Sequence, residues 1–132
     1  MIGFLFFIGH TSGAPWTLED ESGASSLVAS MKAARVPELV PARTYWDFYF
    51  GFGVSISVYL FGLAAVLWQT ASLSKRTFDA ARPFMASLFV CYLGVGVVAA
   101  RFFFLLPVLM ATAVCLCIAL AWWLGWRKHR VA

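Results

Sequence analysis

An imidazole, a carboxylate and a guanidinium each stand at the edge of an apolar run in this chain: His10, Asp47 and Arg101, with Arg43 as a fourth candidate. Their types allow three kinds of chemistry. A carboxylate and a guanidinium form an ion pair. The set together can hold the polar head of an amphiphile, and an imidazole beside a carboxylate can pass protons as acid and base. Near a bilayer, ionisable side chains pair with one another and mark functional sites, or else their heads snorkel to the lipid headgroups. All the joint uses need the residues at one depth, which only the surrounding elements can arrange.

The 132 residues are 62% hydrophobic and only 12% charged, with a mean hydropathy of +0.83. Soluble domains carry about twice that share of charge, so the solvent for this chain is a bilayer, and its length suits one domain. Residues 48–69, 83–100 and 102–126 contain no charged side chain. Each comes within a turn of the roughly 20 helical residues that cross a hydrocarbon core of about 30 Å. Lipid cannot satisfy open backbone groups, so these segments are expected as helices, spanning 45–70, 83–101 and 103–126. The opening run 1–9 offers about 13 Å of helix, less than half a bilayer. It reads as part of a first span whose earlier portion is missing, with a short interfacial or re-entrant segment as the alternative. The expected fold class is therefore an all-α integral membrane bundle of three full spans plus a partial N-terminal helix.

Residues 10–44 are polar and punctuated by Gly13, Pro15, Gly23, Pro37 and Pro41. Within them Leu27, Val28 and Met31 fall at helical spacing, which predicts a short amphipathic helix over about 24–35. Ser22 or Ser25 would cap it, and Pro37 and Pro41 would stop it. The basic residues set the orientation. Lys75, Arg76, Arg82, Arg127, Lys128 and Arg130 lie on one side of the spans, against Lys32, Arg35, Arg43 and Arg101 on the other. The second group is diluted by Glu19, Asp20, Glu21 and Glu38. This bias puts the basic tail 127–132 in the cytoplasm and the 10–44 loop on the outward side of the membrane.

Thr44-Tyr45-Trp46-Asp47 has the form of a capping box, in which a hydroxyl and an acid three residues later satisfy the free amides of a helix start. Below it, at about 100° per residue, Asp47, Gly51, Ser55, Val58, Gly62, Ala65 and Gln69 share one stripe of roughly 80°. Small residues let membrane helices approach closely, so this stripe is expected to face protein. Bulky Tyr49, Phe52, Ile56, Leu60, Leu63 and Leu67 would then face lipid. Pro83, Ser87, Gly94 and Arg101 form a matching stripe on the next span, which makes Gly51, Ser55, Gly62 and Gly94 the expected packing face. That geometry would bring Asp47 to Arg101, with His10 nearby.

The three cysteines, Cys91, Cys115 and Cys117, sit inside apolar runs without a CxxC, so they read as packing residues rather than a disulfide framework or metal site. No HExxH, GxSxG, paired carboxylate or phosphate loop is present, and no cofactor or metal is implied. The basic residues mark helix ends rather than a nucleic-acid footprint.

Gly9-His10-Thr11, followed by Trp46-Asp47-Phe48-Tyr49 and Gly51-Phe52-Gly53 at the opening of the second span, resembles a family of small four-span bacterial membrane proteins. The resemblance implies a complete first helix in its members and brings no activity with it. A looser similarity to four-helix bundles of the DoxX type concerns architecture alone. The leading functional expectation is an accessory or structural protein that packs against other membrane proteins or itself in the bilayer. The alternative is a module binding a lipid, quinone or other amphiphile in the outer leaflet through Asp47, Arg101 and His10. A small membrane enzyme using His10 and Asp47 is the least favoured.

Overall fold

The computed structural model describes residues 1–13, 24–37 and 42–131, without the side chains of residues 24 and 128–131. The Ser22 cap, the acidic residues Glu19, Asp20, Glu21 and Glu38, the Pro41 stop and the Lys128 and Arg130 side chains lie outside that description. Among the described residues the chain is all-α: α1 (Ile2–Ser12), α2 (Ala24–Ala33), α3 (Tyr45–Arg76), α4 (Phe78–Phe102) and α5 (Leu105–Val131). Helices α3, α4 and α5 are each long and apolar enough to cross a membrane. At 1.5 Å per residue α3 is roughly 48 Å long, well beyond the hydrocarbon core, so its ends reach the headgroup layers. Helix α3 continues past residue 70 to Arg76, and α4 begins at Phe78, five residues ahead of Pro83. The polar segment 71–82 is thus nearly all helix, because Thr70, Ser72 and Ser74 turn their hydroxyls back onto carbonyls of their own helix. Pro107 falls in the first turn of α5, where its missing N–H has no intrahelical partner to lose.

The chain divides into two compact units, one of residues 1–7 and 60–132 and one of residues 8–59. In the first, the backbones approach most closely between α4 and α5. Only Phe103 and Phe104 join these helices, so they run antiparallel. Phe78 lies beside Gly125, Arg82 beside Trp122, Phe89 beside Cys115 and Gly96 beside Ala111. Helix α4 buries Ala81, Met85, Leu88, Tyr92 and Ala99, while α5 buries Ala111, Val114, Cys115 and Ile118. Steps of three and four residues make one stripe on each helix, and the stripes mesh as knobs into holes. Phe6 of α1 and Leu60 of α3 complete this core. Phe61 packs edge-on to Phe4 and Phe7, with ring centroids 6.2 and 5.5 Å away.

Small residues do mediate the close approaches, but not the expected ones. A Cβ at Gly3 would lie 3.3 Å from Ala64 and from the Tyr92 hydroxyl, and one at Gly96 would lie 3.5 Å from the Ala111 Cβ. At Gly125 an added Cβ would overlap the Phe78 ring. Gly51, Gly62 and Gly94 meet open space instead, and Ser55 is exposed. The buried side of α3 carries Ser57, Leu60, Ala64 and Thr70, with Leu63 and Leu67 half-buried. Among the described residues the expected packing face of Gly51, Ser55, Gly62 and Gly94 is therefore exposed, with no helix laid against its glycines. The cause is that Gly3, Ala81, Ala99 and Ala111 already supply the hollows. Leu60 of α3 is buried in that core, with Leu63 and Leu67 packed against it.

Two substitutions test this arrangement. Gly3→Leu should destabilise the fold in detergent by an amount matching overpacking, about 1–3 kcal/mol, and lower the midpoint of thermal unfolding, whereas Gly62→Leu should leave that midpoint unchanged or raise it. Equal effects would mean that the buried face of α3 is assigned wrongly. Tyr92 is 0% exposed and, among the described residues, its hydroxyl has no hydrogen-bond partner. Tyr92→Phe removes a polar atom with nothing to lose, so it should be neutral or stabilising in the same measurement.

Candidate functional site

The unit of residues 8–59 holds the polar residues that sequence singles out, and its scaffold is local. Beyond α2 the chain closes on itself through an isolated antiparallel bridge between Arg35 and Thr44. The Val36 amide donates to the Arg43 carbonyl (2.9 Å) and the Tyr45 amide to the Ala34 carbonyl (3.2 Å). Lys32, in the last turn of α2, sits 5.0 Å over the Trp46 ring, and Val28 is buried. Ser25 falls inside α2 rather than capping it. Two bonds and a cation–π contact thus tie the end of α2 to the start of α3, and they fix where Arg43 and Thr44 stand.

Thr44 and Asp47 close the start of α3 reciprocally. The Thr44 amide and hydroxyl both donate to Asp47 Oδ2, at 2.8 and 3.0 Å, and the Asp47 amide donates to Thr44 Oγ1 at 3.2 Å. A carboxylate here also complements the positive end of the helix. Both bonds fall on one oxygen, so the cap does not use Oδ1. Beside the cap, Arg43, Asp47, Phe48, Gly51, Phe52 and Ser55 line an open groove of about 290 Å³. Gly51 forms a low point between the Phe48 and Phe52 rings, whose centroids are 6.2 Å apart. The groove has one cation and one anion at its head and two phenyl rings along its length.

His10 and Thr11 lie at the end of α1 and meet α3 at Gly53 and Ser57, level with the last groove residues. His10 Nε2 is 3.3 Å from the Gly53 carbonyl, an acceptor only, so the proton of that bond sits on Nε2. The Thr11 hydroxyl donates to Ser57 Oγ at 3.0 Å, and Ser57 is buried. Sequence reasoning passed over Gly53 and Ser57 as partners of α1. The signal was available, since a hydroxyl at bilayer depth needs an acceptor and Thr11 is the hydroxyl that follows His10.

Of the four ionisable candidates, the structure brings Arg43 and Asp47 to one groove and places His10 against the backbone of the same helix. Arg101 belongs to the other unit, at the last turn of α4, where it is exposed with its guanidinium 5.4 Å from the Phe102 ring. The Asp47–Arg101 pair remains an expectation. Among the described residues no group of three His, Cys, Asp or Glu side chains is gathered as metal ligands.

The cap gives a direct test. Thr44→Ala should cost about 1 kcal/mol of thermal stability in detergent, and Asp47→Ala a similar amount. The double variant should cost little more than either, because both substitutions remove one shared set of bonds. Additive losses would show that the two side chains act separately. No family model matches the chain, and no curated protein or solved structure is similar to it.

Proposed function

We propose that this chain is an accessory membrane protein that works by packing its outward small-residue stripes against a further membrane helix, from a partner protein or from a second copy. One observation carries the reading: the face best suited to close helix packing is left uncovered by the described residues. On α3 these residues are Gly51, Ser55 and Gly62, and on α4 they are Ser87 and Gly94. At about 100° per residue the α4 stripe lies opposite the buried row of Ala81, Met85, Leu88 and Tyr92. Glycine in a helix interior costs roughly 1 kcal/mol relative to alanine. A close neighbour is the usual compensation in a membrane, and Gly51, Gly62 and Gly94 have none among the described residues. Resemblance to small four-span bacterial proteins belongs to the same reading, as does a bacterial inner membrane with the basic C-terminal end in the cytoplasm.

The groove beside the cap favours a second reading, an amphiphile-binding module. Arg43 and Asp47 would take the polar head while Phe48 and Phe52 flank the first methylenes of the tail. In this version Arg43 is the cation that lines the groove with Asp47, and His10 serves the helix seam.

Mild solubilisation followed by native mass spectrometry separates the two. On the packing reading the wild-type chain migrates in a larger assembly. Gly51→Leu combined with Gly62→Leu releases a monomer of unchanged thermal stability. A wild-type monomer carrying a bound lipid that Arg43→Ala removes would overturn packing in favour of the groove.

A further inference from the structure

The opposite end of the α4–α5 pair carries charge that the packing face does not use. Arg82, in α4, has its guanidinium 5.4 Å over the Trp122 ring of α5 and its Nη1 3.5 Å from Asp79 Oδ1. Arg127, in the last turns of α5, lies 4.4 Å over the Trp123 ring one turn earlier. Trp123 and Trp126 are about half exposed. Successive rotations of about 100° set Trp122, Trp126, Trp123 and Arg127 in that order around one flank of α5, starting at the edge that meets Arg82. Lys75 and Arg76 end α3, one residue before α4 begins, and both are exposed. Asp79 is the one acid among Lys75, Arg76, Asp79, Arg82 and Arg127, so these five residues carry a net charge of +3.

We propose that this flank binds the phosphate of an anionic phospholipid, gripped by Arg82 and Arg127, with Trp122, Trp126 and Trp123 lying along the glycerol and upper acyl region. Three features point there. A guanidinium is a planar fork that matches phosphate oxygens two at a time, and stacking on an indole holds that fork in place before the ligand arrives. Asp79 restrains Arg82 further without cancelling the cluster. Indoles belong at the junction of headgroup and hydrocarbon, which puts the guanidinium groups at phosphate level. The other end of the same helix pair offers a contrast. There Arg101 stacks on its own neighbour Phe102, and Arg101 is the only Lys or Arg of residues 83–126. Basic pockets between membrane helices hold anionic headgroups by this chemistry, each cation near the surface adding roughly fivefold to affinity.

The test uses the full chain in nanodiscs of phosphatidylcholine with increasing phosphatidylglycerol, followed by native mass spectrometry of the retained lipid. Wild-type protein should retain phosphatidylglycerol selectively. Arg82→Gln with Arg127→Gln should weaken retention by about twentyfold or more. The double Arg-to-Lys variant should fall between, since it keeps charge and loses the fork. Trp123→Leu keeps every charge, removes the platform under Arg127 and should weaken retention severalfold, while Arg101→Gln should change nothing. Millimolar inorganic phosphate should fail to displace the lipid. The proposal is overturned if the Lys variant equals wild type, if Trp123→Leu has no effect, if Arg101→Gln acts as strongly as the other two, or if free phosphate competes.

Discussion

The antiparallel contact of α4 with α5 is the constraint on which the larger unit depends. Its residues mesh where a glycine on one helix leaves room for a side chain of the other. Lipid tails are as apolar as leucine, so hydrophobicity alone cannot hold two helices together in a bilayer. Dispersion between close-packed atoms must do it, and that requires hollows of the right size. Gly96 against Ala111 and Gly125 against Phe78 are such hollows. Gly3 extends the same rule to α1, where eleven residues are too few to span a membrane but enough to lay Phe6 into the core.

The other unit is organised by hydrogen bonds rather than by shape. Arg35, Val36, Arg43, Thr44 and Asp47 form a run of backbone and side-chain bonds that starts α3 at a defined residue. At the end of α1, the Thr11–Ser57 bond and the His10 contact with Gly53 let polar side chains enter an apolar seam with their partners supplied. The unit places a charged pair at the mouth of a groove because the capping acid must stand where the helix begins, and the residue before the capping threonine is an arginine.

The chain's unused surfaces follow from these two solutions. Gly3, Gly96 and Gly125 are taken up by close contacts in the core, whereas Gly51, Gly62 and Gly94 have no close neighbour among the described residues. Their position on outward faces is a consequence of packing. At the basic end the indoles keep arginine side chains folded against the protein, which turns mobile charges into an arranged pair.

Composition and run length alone determined that this is an all-α membrane protein with three crossing helices, because a bilayer leaves the backbone no other way to satisfy its hydrogen bonds. The Thr44–Asp47 spacing likewise carried its bonding pattern, since a cap is a contact between residues three apart. The inward face of α3 was not legible. Its two faces are both apolar enough for lipid, and which one turns inward depends on where other helices leave hollows. The partners of His10 and Thr11 were hidden for the same reason, as Gly53 and Ser57 lie more than forty residues along the chain. Local chemistry is written in neighbouring residues, whereas the choice between two acceptable faces is made only when distant segments meet.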